Sequence, residues 1–251
     1  MRPLSDRQIM QNDSTAAAKR RSLDPNVRSR TMLVIPAFNE ATRVGEVIES
    51  VRRSYPHVVV VDDGSSDQTA TVARQAGAFV LRHVVNRGQG AALQTGITFA
   101  LRRGADYIVT FDADGQHRIS DIAALLEPIV TGEVEIALGS RFMGKAVRIP
   151  PLRRLVLSLA VLFTRVVSGV VVTDAHNGLR AFSRRAAAGI DIRNDRMAHA
   201  SELIDIIRAL DLPYREVPVK IKYTSESLAK GQSLRGAARI LIHYLVGRVA
   251  A

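Results

Sequence analysis

Asp112 and Asp114 stand two residues apart directly after the apolar stretch 107–111, and an extended backbone turns both carboxylates to the same side. Two hard oxygen donors so placed suit Mg2+ or Mn2+, a cation that keeps waters and bridges to substrate phosphates. Gln116 adds an amide oxygen within reach as a third ligand. Asp and Gly also dominate ordinary turns, so a bare Asp-x-Asp has a purely structural reading as well. Asp62-Asp63-Gly64-Ser65 follows a second apolar run, 57–61, and one of its carboxylates suits a ribose hydroxyl or a base N–H. Asn86-Arg87-Gly88-Gln89-Gly90 brings backbone N–H groups to a helix start, a place for polar or anionic ligand groups. Its Gly-x-Gly lacks the third glycine of a dinucleotide fingerprint and follows the third strand rather than the first, which argues against an NAD fold.

The elements that must position these groups alternate. Residues 32–35 are a short apolar run stopped by Pro36, and 57–61, 78–85, 107–111 and 135–138 read as further buried strands. Between them, 40–54 carries Val44, Val47, Ile48 and Val51 at helical spacing, Ser66 or Asp67 caps a helix to about 75, and helices follow to about 103 and over 121–130. This alternation predicts an α/β domain with a mostly parallel sheet covered on both faces, its ligands beyond the carboxyl ends of the strands. Asn39-Glu40, Asp62-Asp63, Asn86, Asp112-Asp114 and Ser140-Arg141 all fall on that one rim. After Gly144 the alternation stops. An apolar, Arg-studded helix begins at Pro150-Pro151, an edge strand is expected over 179–182, a helix over 198–210, a strand over 214–221, and a basic amphipathic helix over 234–249.

At 251 residues the chain suits one large domain with a full core. It has no cysteine, so disulfides, thiolate metal sites and a Cys nucleophile are excluded, and a reducing compartment fits. The net charge of +11 attracts polyanions, whether nucleic acid, anionic lipid or diphosphate-bearing substrates. With no Trp, 5% aromatics and no reader motif, nucleic acid lacks support. The longest apolar stretch, 155–172, is broken by Arg165, and a charge at mid-bilayer costs roughly 2.5–3.5 kcal/mol. The expectation is a cytoplasmic protein, with peripheral contact on the cytoplasmic membrane face as its nearest approach to lipid. Residues 1–30 read as a mobile basic tail whose deletion leaves the core intact, 31–233 as one domain, and 234–251 as a helix packed on it or on a membrane.

Five segments occur in order: Pro36-Ala37-Phe38-Asn39-Glu40; Val61-Asp62-Asp63-Gly64-Ser65-Ser66-Asp67-Gln68-Thr69; Asn86-Arg87-Gly88-Gln89-Gly90-Ala91-Ala92; Asp112-Ala113-Asp114-Gly115-Gln116-His117; and Gly139-Ser140-Arg141. As a set they resemble family 2 glycosyltransferases, in the branch of dolichyl-phosphate mannosyltransferase and other polyprenyl-phosphate glycosyltransferases. The likeness is strong over 31–145 and looser to about 233. It implies a GT-A fold and an inverting transfer from an NDP-sugar. By that likeness Pro36, Phe38, Glu40, Val61 and Asp63 line the nucleotide pocket, with Asn86 and Gly88 beside it. Asp112, Ala113, Asp114 and Gln116 would hold metal and diphosphate, and Arg141 would face the donor. Phe38 stands where the family usually has Tyr. Asp174-Ala175-His176-Asn177-Gly178-Leu179-Arg180-Ala181-Phe182 is similar to a downstream family segment, with Leu179 replacing Phe. Arg154 matches an arginine near the acceptor phosphate, and Lys222 and Lys230 stand where the family has basic residues on a phosphate-contacting loop, spaced differently here.

Two acceptors follow from this reading. A polyprenyl phosphate presents an oxygen that is already anionic and needs no general base. A saccharide hydroxyl needs one, for which Asp174 is the first candidate and Glu202 the second. Asp174→Asn is expected to separate the two. His117 and His176 flank the motifs, where a lone histidine is commonly structural. A catalytically silent nucleotide-binding or membrane-interaction module is the reading from another class. The nucleotide base, the sugar and the oligomeric state stay open.

Overall fold

Along the first strand, β1 (Thr31–Ala37), the side chains alternate between two apolar layers, because successive residues of a strand face opposite sides. Leu33 and Ile35 join one buried cluster, Met32 and Val34 the other. The computed structural model describes residues 23–143, 172–174, 177–193 and 199–222. The remaining strands are β2 (His57–Asp62), β3 (Phe79–Arg82), β4 (Tyr107–Thr110), β5 (Ile136–Ser140), β6 (Arg180–Ser183) and β7 (Tyr214–Pro218). They form one sheet in the order β3-β2-β1-β4-β6-β5-β7. Pairing is parallel for β1 with β2 and β4, β2 with β3, and β5 with β7. β6 runs antiparallel to both β4 and β5.

Helices cover both faces. Val44, Val47, Ile48 and Val51 of α2 (Val44–Arg52) are buried at the spacing read from the sequence, on the layer shared with Ile122, Leu125 and Leu126 of α5 (Ile119–Val130). On the other face lie α4 (Gln89–Arg102) and α7 (His199–Leu210), joined by Ala186 and Ala187 of α6 (Arg184–Ala188). Gly96 lets α4 settle close on the sheet: a Cβ there would overlap the Val34 side chain and come within 3.2 Å of Val61 Cγ2. The short α3 (Thr69–Gln75) completes the β2-to-β3 crossover.

Three sequence expectations need correction. The strand expected at the edge over 179–182 is instead interior, because β6 slots between β4 and β5 and so has ladder partners on both sides. β1 does not stop at Pro36, which pairs with Val61; β4 partners β1 only as far as Val34, so a residue lacking an N–H is tolerated beyond it. Residues 23–30, assigned to a mobile tail, contain α1 (Pro25–Ser29). Asp24 Oδ1 accepts from Asn26 N at 2.8 Å, Pro25 opens the helix, and the Thr31 hydroxyl donates to Val27 O at 2.7 Å. Leu23 packs on the core, and Arg28 lies near buried Tyr55, whose hydroxyl burial pushes up to about 12. Removing residues 1–30 is therefore expected to melt a few degrees below removal of 1–22. A capping bond is worth about 1 kcal/mol, and each kcal/mol is worth about 2–4 °C in a chain of this size. Differential scanning calorimetry of the two truncations checks it.

Among the described residues no helix is long and apolar enough to cross a membrane. The expected helices over 151–172, apart from Val172, and over 234–249, with Arg153, Arg154, Arg165, His176 and Lys230, lie outside the described residues.

Candidate active site

The carboxyl ends of β1, β2 and β4 deliver their loops to one cleft of about 480 Å3. The first two loops are tied to each other. Asn39, held at φ 54°, donates its backbone N–H to Ser65 Oγ and accepts from Ser66 N, each at 2.9 Å. Glu40 N donates to Thr69 Oγ1 at 2.9 Å and Ala41 N to Asp67 Oδ2 at 3.1 Å. Pro36, Phe38 and Glu40 thereby line the cleft, with Phe38 46% exposed as an open apolar face.

Asp63 lines the same cleft, yet much of its hydrogen-bonding capacity is used by the protein. Its carboxylate accepts from Arg87 N at 3.0 Å and Gly88 N at 2.6 Å, and pairs with His83 Nδ1 at 2.7 Å. His83 is held in turn by Thr95 Oγ1 at 3.0 Å. Asp63 thus fixes the loop that carries Asn86 and Gly88 into the cleft. Asp62 does not share the site: it is buried, accepting from Ser65 N and pairing with Arg82.

Asp112, Ala113 and Asp114 line the cleft beyond β4, with Ala113 buried between the two acids. Asp112 Oδ2 accepts from His117 Nε2 at 2.8 Å and Oδ1 from Gln89 Nε2 at 3.2 Å. Burial works to raise Asp112, but the His117 contact together with the charges of Arg180 and His199 holds it below the usual carboxylate range. Asp114 is pushed up, first by burial and then by the neighbouring Asp112 charge. Two carboxylates that repel each other across one cleft fit a divalent cation, which would relieve that repulsion. Among the described residues no group of three or more carboxylates and histidines that could hold a metal ion is found. Gln116, expected as the third ligand, lies beside Asp114: its backbone N donates to Asp114 Oδ1 at 2.9 Å and its Nε2 to Oδ2 at 2.6 Å.

Arg141 reaches the cleft from the end of β5 on a buried support. Its Nε donates to Asp174 Oδ2 at 2.6 Å and its backbone N to the same oxygen at 3.1 Å. Asp174 is 4% exposed and does not line the cleft. The segment bearing it is clamped by Glu216 of β7, whose carboxylate accepts from Thr173 N, Thr173 Oγ1 and Asp174 N. Asp174 therefore supports Arg141, and the fold pairs its charge across 33 residues of sequence. Glu202, the second base candidate, accepts from Arg193 N at 2.9 Å and is also outside the cleft lining.

Two further expectations fall outside the cleft lining, although the cavity that Lys222 lines shares Asp114 and His117 with the cleft. Val61 is fully buried and its side chain faces Gly96 of α4, because strand alternation sends it into the core rather than to the rim. Lys222 lines a neighbouring cavity of about 560 Å3, alongside Arg43 and Arg118, while its backbone N donates to Gln116 O at 2.9 Å.

Sequence reasoning gave no site role to several residues that the fold brings here: Gln89, His117, Asn177, Gly178, Arg180 and His199 line the cleft. Arg180 is buried, and burial brings it down to about 10 despite the carboxylates of Asp112 and Asp174. Gly178 lies directly against Asp112, where a Cβ would sit 2.6 Å from the carboxyl carbon, and its carbonyl accepts from Thr110 Oγ1 at 2.6 Å. For Asn177, Gly178 and Arg180 the signal was the 174–182 segment itself, whose nearness to Asp112 depends on β6 pairing with β4.

Residues 32–189 match the family model described as glycosyl transferase family 2. The UDP-N-acetylglucosamine–dolichyl-phosphate N-acetylglucosaminyltransferase of Methanococcus voltae is 34% identical, over 85% of this chain and 94% of its own. The polyprenol monophosphomannose synthase of Mycolicibacterium smegmatis is 33% identical, over 83% of this chain and 84% of its own. In structure, the chain is similar to Mycobacterium tuberculosis glucosyl-3-phosphoglycerate synthase, with a TM-score of 0.66 at 21% identity, covering 88% of this chain and 79% of that one. That likeness is one of fold.

Proposed function

The chain belongs to glycosyl transferase family 2 and is a glycosyltransferase of GT-A fold; from that premise we propose that it moves a sugar, with inversion, from an NDP-sugar to a polyprenyl phosphate. In this reading Mg2+ or Mn2+ binds at Asp112 and Asp114, with Gln116 holding Asp114 in place. Pro36, Phe38, Glu40, Asp63, Asn86 and Gly88 form the nucleotide side. Arg141 meets the donor phosphates, and Arg154, Lys222 and Lys230 meet the acceptor at the cytoplasmic membrane face. The cation, when bound, supplies positive charge against the charge growing on the departing diphosphate. The relatives named for dolichyl phosphate and polyprenol monophosphomannose support the acceptor class. Crystals of the structural neighbour with Mn2+ and UDP support the donor class and the metal.

The observation that carries the acceptor is the engagement of Asp174. A sugar hydroxyl must lose a proton in the transition state, which requires a base at the acceptor. Asp174 is buried against Arg141, the carboxylates lining the cleft among the described residues are Glu40, Asp63, Asp112 and Asp114, and the two histidines there, His117 and His199, both stand by Asp112, on the metal side of this reading. The proposed nucleotide and metal occupy those four carboxylates. An acceptor phosphate arrives already ionised and needs no proton removed. Incubating the chain with UDP- and GDP-sugars, Mn2+ and either undecaprenyl phosphate, undecaprenol or an oligosaccharide tests this. A lipid-linked sugar is expected from the phosphate alone; transfer to the oligosaccharide and none to the phosphate would reverse the assignment.

Gly178→Ala is expected to displace the Asp112 carboxylate, since the added methyl occupies its space. A misplacement of about 1 Å costs on the order of 100-fold in rate. Steady-state kinetics beside a thermal melt checks that the loss is of turnover rather than of fold.

A further inference from the structure

Asp112 has a neighbour whose placement the donor and metal reading does not use. His117 is buried, its side chain 4% exposed, and its Nε2 lies 2.8 Å from Asp112 Oδ2. An ionised carboxylate only accepts, so Nε2 carries the proton of this bond. The other ring nitrogen, Nδ1, is buried and makes no hydrogen bond to the protein among the described residues. The ring stands edge-on to Phe111, centroids 5.5 Å apart, and the backbone bridges to Ile221. A buried nitrogen without a partner costs stability, so an apolar residue would serve this core position better. What histidine adds here is a single directed hydrogen bond to one oxygen of Asp112.

We propose that His117 is a positioning residue for metal binding: its Nε2–H orients the Asp112 carboxylate so that the free lone pairs meet the cation beside Asp114. The inference rests on the metal reading above and extends it to a residue outside the Asp112-Ala113-Asp114 segment. Hydrogen bonds of this kind to a ligating group fix its direction, and their loss typically weakens metal affinity about 10- to 100-fold. Gln89 Nε2 on Oδ1 and Gly178 behind the carboxyl group confine Asp112 from its other sides.

The test is a Mn2+ titration of the full chain followed by electron paramagnetic resonance of free Mn2+, with no sugar donor present. H117F and H117L remove the donor and keep an apolar ring or branch in the core, so one serves if the other folds poorly. Both are expected to bind Mn2+ about 10- to 100-fold more weakly than the wild type, with a metal-free melting temperature at or above it. H117Q places an amide N–H near the vacated Nε2 and is expected to recover to within about threefold of the wild type. Wild-type Mn2+ affinity in the donorless variants would overturn the proposal, as would equal losses in H117Q and H117F. If the wild type holds no Mn2+ even with UDP or GDP added, or D112N holds it as tightly as the wild type, the metal reading itself falls and takes this inference with it. A wild type that binds beside an unaffected H117F sinks this inference alone.

Discussion

Asp112→Asn and Asp114→Asn should each lower turnover on the order of a thousandfold. Asp112→Asn is expected to melt below the wild type, because His117, Arg180 and His199 favour its charge in the fold, whereas Asp114→Asn is not. The rate effect follows from removing half of an anionic pair that faces the cleft, because preorganised charge at a departing phosphate is among the larger single contributions to such catalysis. The stability effect follows from the same electrostatics with the opposite sign. Asp114 is raised by burial and by Asp112, so the folded state disfavours its charge. A neutral amide at this position removes that penalty, and the Asp114→Asn variant is expected to melt slightly above the wild type at pH 7. The amide oxygen can retain the bond that Gln116 N donates to Asp114 Oδ1. Kinetics over a Mn2+ series, paired with calorimetry, measure both effects. Near-normal rates in either variant would remove the metal from the mechanism.

A different signature is expected at Asp174. Arg141 and Asp174 are buried together, and removing one member of such a pair typically costs about 3–5 kcal/mol. Asp174→Ala should therefore shift the urea midpoint strongly and also lower turnover, because Arg141 loses the oxygen that holds both its Nε and its backbone N. Asp174→Asn keeps an acceptor oxygen but not the charge and should fall between. A general base would behave otherwise, with turnover collapsing while the urea midpoint stays put. The expectation that Asp174→Asn separates a hydroxyl from a phosphate acceptor thus gives way, since the substitution disturbs Arg141 in either case. Offering both acceptors directly separates them.

The glycosyltransferase reading and most of the rim were legible in the chain because they rest on local signals. Val44, Val47, Ile48 and Val51 repeat at the helical period and are buried. The runs ending at Asp62 and before Asp112 are strands that finish where polar residues begin. Strand ends on one side of a parallel sheet share a rim by construction, so Glu40, Asp63, Asn86, Asp112 and Asp114 were bound to be neighbours once the alternation was read. Val61 was assigned to the pocket from likeness alone, and strand parity sends its side chain into the core against Gly96.

The identities of the acids, the order of the strands in the chain and the loops that end them were set by sequence, since periodicity and turn chemistry act within a few residues. The partners of those acids were set by tertiary structure. Nothing local says that β6 inserts antiparallel between β4 and β5, yet that pairing brings Gly178 against Asp112, Arg180 into the cleft, and Asp174 beneath Arg141. A carboxylate's chemistry depends on what surrounds it, and here part of the surroundings comes from far along the chain, as with Arg141, 33 positions from Asp174. That is why Asp174 reads as a base candidate along the chain, while its pairing with Arg141 is visible only in the fold.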